Sequence, residues 1–283
     1  MTQSMKTRII SAAVALVIAI IILALAHTWV FNLAIAAITV GAVYEVFKAM
    51  GLIRYRPECC ACFAYAAVDC LIGMVHRHDF LLFFNSRIYS FLFVFAMFIL
   101  YLKRHEKYSY AAIFTMISVT LLISYSFSCL LNMISVFTSY GVFAVVLTLA
   151  GAWLADSGAY FAGTLFGKRK LCPEISPKKT VEGLIGGTVC NGVFLLIIAG
   201  IYATLVNKDI TVHYGAVFFA GMACSVVGLI GDLSASLIKR EAGIKDYGNI
   251  MPGHGGIMDR FDSVLTVAPF MYALFLQSWL VTV

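Results

Sequence analysis

Residues 139–166 read SYGVFAVVLTLAGAWLADSGAYFAGTLF and hold a single charged residue, Asp156. Crossing the roughly 30 Å hydrocarbon core of a bilayer takes about 20 apolar residues in a helix, so this run is long enough to span. With no water to satisfy backbone polar groups there, a helix is the conformation it must take. The rest of the chain repeats the pattern. Of its 283 residues 62% are hydrophobic and only 12% are charged, which places it in the membrane class. The mean hydropathy of +0.95 agrees. Further apolar runs lie at 9–26, 29–48, 59–75, 80–102, 109–131, 184–206, 214–238 and 262–282. The fold expected is all-α: a single integral membrane domain, 1–283, with about nine transmembrane helices. The run 59–75 is the weakest, being short and holding Asp69. The run 9–26 follows Lys6 and Arg8 as a signal peptide would, but lacks a clear small-residue cleavage site and is read as a retained helix.

The distribution of charge agrees with these spans. With the N-terminus cytoplasmic, the inside segments hold Lys6 and Arg8; Lys48, Arg54 and Arg56; Lys103, Arg104 and Lys107; Lys168, Arg169, Lys170, Lys178 and Lys179; and Lys239, Arg240, Lys245 and Arg260. That is 17 of the 20 Lys and Arg residues, the bias the positive-inside rule demands. The net charge of +6 then reads as basic loops against an anionic leaflet, able also to attract anionic substrates. The cations are dispersed at helix ends and form no stripe, so nucleic acid is not an expected partner. The eight cysteines fall mostly within spans, and Cys59-Cys60-Ala61-Cys62 lacks the second Cys/His pair of a zinc site. They are read as small apolar residues.

Information is unevenly spread. Residues 1–150 read as scaffold helices, and 151–283 as the catalytic half. Ten of the fourteen acidic residues, Glu45 among them, are assigned mostly to loops. The other four, Asp156, Asp232, Asp259 and Asp262, lie in or at the edges of the last four spans. A carboxylate in hydrocarbon costs a few kcal/mol, so it normally faces water, a cation or a partner. On a helix Asp232, Ser236, Lys239 and Arg240 fall on roughly one face. Asp259 and Asp262, three apart, share a face as the last helix begins. With Asp156 and Asp246 expected at the same cytoplasmic level, five carboxylates stand beside Lys178, Lys179, Lys239, Arg240, Lys245 and Arg260. That set suits a hard cation such as Mg²⁺ or Mn²⁺, ringed by phosphate-binding cations. Ser176-Pro177-Lys178-Lys179-Thr180 is expected to form a proline-stiffened turn suited to polyphosphate, although it is no P-loop.

Three segments carry a resemblance. Ser236-Leu237-Ile238-Lys239-Arg240, then Lys245-Asp246, then Pro252-x-His254-Gly255-Gly256-x-x-Asp259-Arg260-x-Asp262 resembles the signature of phosphatidate cytidylyltransferases, the CDP-diacylglycerol synthases. SPKKTVEG (176–183) and DSGAYFAG (156–163) resemble that family's two other recurrent segments. The match covers roughly residues 150–265, and the long C-terminal signature is highly specific. The resemblance implies transfer of CMP from CTP to phosphatidate with release of pyrophosphate, in phospholipid biosynthesis. It also implies an all-helical membrane enzyme with a polar site open to the cytoplasm and laterally to lipid; a length of 283 residues without a transit peptide or extra domain favours a bacterial inner membrane over an organellar one. The cofactor implied is Mg²⁺, as one ion, as two, or paired with a monovalent cation. A homodimer stays open as its assembly.

Under that reading Asp232 and Asp246 lead the metal ligands, followed by Asp259, Asp262 and Asp156. Lys239, Arg240, Lys245, His254 and Arg260 are the expected catalytic cations. Ser176, Lys178, Lys179, Thr180, Gly255 and Gly256 are the expected substrate-binding groups. The phosphate nucleophile is already ionised near neutral pH, so no strong general base is needed. His254 then either contacts a phosphate or orders its glycine-rich turn. Gly253, Gly255 and Gly256 would permit a tight turn with backbone N–H groups exposed to phosphate. Two rivals fit less well. A CDP-alcohol phosphotransferase would show DGxxAR, which is absent. A cation-coupled transporter would place polar groups near mid-membrane, in repeated halves.

Overall fold

The computed structural model describes residues 3–72, 86–107, 109–250, 253 and 255–283. His254, Met251 and Pro252 lie outside the described residues, so the alternatives for His254 are not addressed by it.

Each apolar run carries a helix. In order these are α1 (Gln3–Ala24), α2 (Trp29–Ala49), α3 (Arg56–Ile72), α4 (Ser86–Lys103), α5 (Tyr110–Val136), α6 (Gly141–Phe166), α7 (Val181–Ile201), α8 (Tyr214–Glu241), α9 (Met258–Phe261) and α10 (Val264–Leu276). A π-helical turn, Tyr202–Val206, extends α7. Four short strands complete the described elements: β1 (Lys170–Cys172), β2 (Ser176–Thr180), β3 (Thr211–Val212) and β4 (Val281–Thr282). Among the described residues, five helices are long and apolar enough to cross a membrane: α2, α5, α6, α7 with its extension, and α8. Shorter apolar stretches, Ile10–Ala24 and Ile88–Lys103, occupy α1 and α4.

Two departures from the sequence reading matter. The run 262–282 is no single helix, because Asp262 and Ser263 form a turn between α9 and α10. At 13 residues α10 is about 20 Å long, and the chain beyond it pairs β4 antiparallel with β3. The expected turn at 176–180 is the strand β2, hydrogen-bonded antiparallel to β1. Pro177 is tolerated there because the ladder pairs Lys170 with Thr180 and Cys172 with Ser176, with an irregularity between them.

The described chain forms two compact units. The first comprises Met1–Ser135 with Glu241–Arg260. Within it α2 packs on α3 and α3 on α4. Asn32 Nδ2 donates to the Cys70 carbonyl at 3.0 Å, and Tyr65 stacks on Phe93 with ring centroids 4.4 Å apart. On α5 the buried Ile113, Met116, Ile117, Thr120, Ile123 and Phe127 recur at helical spacing, giving one inward face. The cysteines Cys59, Cys62 and Cys70 of α3 are buried free thiols.

The second unit comprises Val136–Arg240 with Phe261–Val283. Its centre is the α6–α7 pair, which packs at backbone distance. A Cβ on Gly187 would lie 2.7 Å from the Ala159 backbone nitrogen, so only glycine permits this approach. Asn191, fully buried on α7, donates to the Gly151 carbonyl of α6 at 2.9 Å and the Gly221 carbonyl of α8 at 2.8 Å. One amide thus ties three helices. Thr266 of α10 donates to the Val227 carbonyl of α8 at 2.9 Å, fixing the fourth.

Candidate functional site

In the second unit, the polar side chains meet where α6, β2 and α8 converge. The hairpin β1–β2 is held at its base by the first turn of α7. Thr180 caps that helix, its hydroxyl accepting from Gly183 N–H at 3.1 Å. The Glu182 carboxylate accepts the Lys168 and Arg169 amides at 3.0 and 3.1 Å. Val181 N–H donates to the Arg169 carbonyl at 3.0 Å. Both arms of the hairpin are therefore fixed, and Lys179 projects from the second.

The Lys179 ammonium forms an ion pair with Asp232 of α8 and lies 4.0 Å from Asp156 Oδ1 of α6. Asp232 is 19% exposed and Lys179 23%, while Asp156 is 54% exposed and faces the opening. Ser236, one helical turn on, donates to Asp232 Oδ1 at 3.3 Å. Asp262 enters from the α9–α10 turn and is buried. Its Oδ1 accepts the Ser263 amide at 2.8 Å and the Ser263 hydroxyl at 3.3 Å. That hydroxyl also lies 3.5 Å from Asp156 Oδ2. Asp262 feels Asp232 and Asp156 as like charges and Lys239 as an opposing one.

A cavity of about 510 Å³ opens beside this group, within the size range of small-molecule sites. Its lining includes the polar Asp156, Lys170, Ser176, Lys178, Lys179, Thr180 and Asp232 together with the apolar Ala152, Ala155, Leu184 and Leu229. The combination suits an ester with an anionic head and an apolar body. The expected common face of Asp232, Ser236, Lys239 and Arg240 is split at its end. Lys239 is buried, whereas Arg240 is exposed and donates from Nε to the Ile175 carbonyl at 3.4 Å. Adjacent residues on a helix diverge by about 100°, which separates the two cations.

Of the five carboxylates expected, Asp156, Asp232 and Asp262 come together here. Among the described residues no three His, Cys, Asp or Glu side chains form a ready metal cluster. The donor set still fits Mg²⁺, which is commonly held by one or two carboxylates, substrate phosphate oxygens and water. Asp156 and Asp232 supply that pair, and both already face one ammonium.

Asp246, Asp259, Lys245, Arg260, Gly255 and Gly256 belong to the first unit. Asp246, Lys245 and Arg260 are exposed. Asp259 Oδ2 accepts the Tyr247 and Gly256 amides at 2.8 and 3.0 Å. The Gly256 N–H is thus committed to a protein carboxylate, contrary to the expectation that it faces phosphate. Gly253 and Gly255 do adopt positive φ, 78° and 86°, the tight turn foreseen. Asp259 and Asp262 do not share one helix face, since α9 ends at Phe261.

Three functional groups escaped the sequence reading. Glu45 was grouped with the loop carboxylates, yet it lies in α2 with 3% exposure and accepts the Ile257 and Met258 amides. Its place within the apolar run 29–48 was the available signal. Glu182 and Ser263 acquire their roles only through contacts that depend on the folded turns.

With the site described, comparison with known proteins is informative. A profile described as the Cytidylyltransferase family matches residues 6–278. Over 135 residues the chain is 47% identical to the phosphatidate cytidylyltransferase of Bacillus subtilis (strain 168), covering 48% of each chain. It is 40% identical over 139 residues to the protein of that name from Staphylococcus saprophyticus subsp. saprophyticus, covering 49% of this chain and 51% of that one. For the Staphylococcus aureus (strain COL) protein, also so named, the figures are 41% over 140 residues, 50% and 52%. The chain spans about half the length of the curated relatives it matches.

Proposed function

The chain belongs to the cytidylyltransferase family, and from that premise we propose that it transfers CMP from CTP to phosphatidate, giving CDP-diacylglycerol and pyrophosphate. The observation that carries the proposal is the Lys179 ammonium set against Asp232 and Asp156, beside a cavity lined by both polar and apolar side chains. A nucleotide and a phospholipid headgroup are both anions, and their approach needs fixed cations. Their diacyl portion needs an apolar exit.

In the reaction a phosphate oxygen of phosphatidate forms a bond to the α-phosphorus of CTP. The bond from that phosphorus to the β-bridging oxygen breaks, and pyrophosphate leaves with the electron pair. No proton need be abstracted from the nucleophile. Asp156 and Asp232, supported by Asp262, would hold Mg²⁺, which supplies charge neutralisation on the phosphates in phosphoryl chemistry of this kind. Ser236 and Ser263 orient these carboxylates by hydrogen bonds. Lys179 screens Asp232 and Asp156 from each other and presents positive charge to the incoming triphosphate. Lys170 and Lys178 add to the field along the hairpin, and Glu182 fixes the backbone that leads into β1. Lys239, Arg240, Lys245 and Arg260, with Asp246 and Asp259, complete the polar set that we assign to the reaction.

We place the enzyme in the bacterial inner membrane with a cytoplasmic N-terminus, supported by the distribution of Lys and Arg and by the bacterial relatives. Purified protein in detergent, given CTP and phosphatidate, should form a chloroform-extractable cytidine lipid only when Mg²⁺ is added. Equal product in excess EDTA would remove the metal from the proposal.

A further inference from the structure

The first unit contains a buried acidic group that the reaction as written does not use. Glu45 sits near the end of α2 with 3% of its surface exposed, and its charge is met by the backbone of a distant segment. Oε1 accepts Ile257 N–H at 3.0 Å, and Oε2 accepts Met258 N–H at 2.8 Å. The next amide back, Gly256 N–H, goes to Asp259, as does that of Tyr247. Three successive amides, 256 to 258, therefore end on two carboxylates, Glu45 of α2 and Asp259 of α9.

Space has been cleared for the carboxylate. A Cβ on Gly256 would meet both Glu45 oxygens, at 2.3 and 2.4 Å, and one on Gly248 would meet Oε1 at 2.3 Å. Ile257 closes the same contact on the helix side, where a Cβ on Gly41 would strike its Cδ1 at 2.4 Å. Two glycines on one side and a paired set of amides on the other leave Glu45 a single seat. A carboxylate is the one side chain of this size that accepts on both oxygens and donates on neither.

We propose that Glu45 is a positioning residue for the reaction: it fixes the backbone of 256–258, and through it the placement of Asp259 and Arg260. This rests on the function proposed above, since it is that reading which gives those two residues a substrate to meet. The reach is mechanical. Ile257 and Met258 lead directly into α9, so displacing their amides re-aims the helix from which Asp259 and Arg260 project.

The test uses the full-length protein in detergent with CTP, phosphatidate and Mg²⁺. Glu45→Gln keeps the shape but turns one acceptor into a donor facing an amide. It should lower kcat by about tenfold or more while changing the KM for CTP less than about threefold, both measured on the folded fraction. Amide exchange should accelerate at Ile257 and Met258 and not elsewhere. Gly256→Ala should also be impaired, and Glu45→Asp combined with Gly256→Ala should recover part of the loss, because the shorter acid vacates the space of the new methyl. Unchanged kcat in Glu45→Gln despite faster exchange would overturn the proposal, as would unchanged exchange. Strictly additive losses in the double variant would do the same. If Glu45→Gln fails to fold, Glu45→Asp alone is read by the same measures. If the wild type makes no cytidine lipid, the functional reading falls, while exchange at 257 and 258 still reports whether Glu45 holds the loop.

Discussion

Lys179 and Asp232 form an ion pair between a hairpin strand and a membrane helix, 53 positions apart in the chain, with Asp156 of a third element at 4.0 Å from the same ammonium. Both partners are largely shielded from solvent, so neither tolerates loss of the other. The pair therefore couples the basic hairpin to the acidic helices.

Replacing the lysine should separate this role from general basicity. Lys179→Met should reduce turnover by roughly 100-fold, in the range seen when a fixed charge at a reacting phosphate or oxyanion is removed. Lys178→Met, at an exposed neighbouring position, should lose much less. Equal losses in steady-state assays of the two variants would argue that only net hairpin charge matters.

The metal requirement should respond to the carboxylates. Asp156→Asn should shift the Mg²⁺ concentration giving half-maximal rate upward by about tenfold, while saturating Mg²⁺ restores part of the activity. A Mg²⁺ titration showing an unshifted midpoint would take Asp156 out of the metal site.

The hairpin should depend on Glu182. Glu182→Ala frees the Lys168 and Arg169 amides and lets the outer arm move. The KM for CTP should rise about fivefold, with the melting temperature little changed because its partners Lys168 and Arg169 are exposed. A normal KM would mean that the Thr180 cap alone holds the hairpin.

Asn191→Leu tests the helix packing apart from chemistry. It removes two buried hydrogen bonds that link α6, α7 and α8, at a cost of about 1–2 kcal/mol. Thermal unfolding in detergent should show a lower midpoint, with KM for CTP unaltered in the surviving folded fraction. An unchanged midpoint would show that glycine packing alone suffices.

Much of the helical architecture was legible because bilayer-length apolar runs leave the backbone few options. The run 139–166 became α6 almost residue for residue. The failures came where local polarity and tertiary context compete. Lys178-Lys179 looked like a turn because Pro177 precedes them, yet β1 supplies a strand partner and Thr180 a helix cap. Asp262 looked helical by spacing from Asp259, but its Oδ1 takes the Ser263 amide and ends the short helix. Asp156 and Asp232 were recognisable as isolated acids in apolar helices. Glu45 had the same signature and went unread, since its partners are backbone amides more than 200 positions away, which no side-chain motif announces.

The central claim is CMP transfer to a phospholipid, and labelled CTP tests it most directly. With phosphatidate and Mg²⁺, label in the α-phosphate should appear in the lipid phase and label in the γ-phosphate in pyrophosphate, in equal molar amounts. Both should be absent in Asp232→Asn. Label from the γ-phosphate in the lipid, or release of pyrophosphate with no α-label in lipid, would contradict the account.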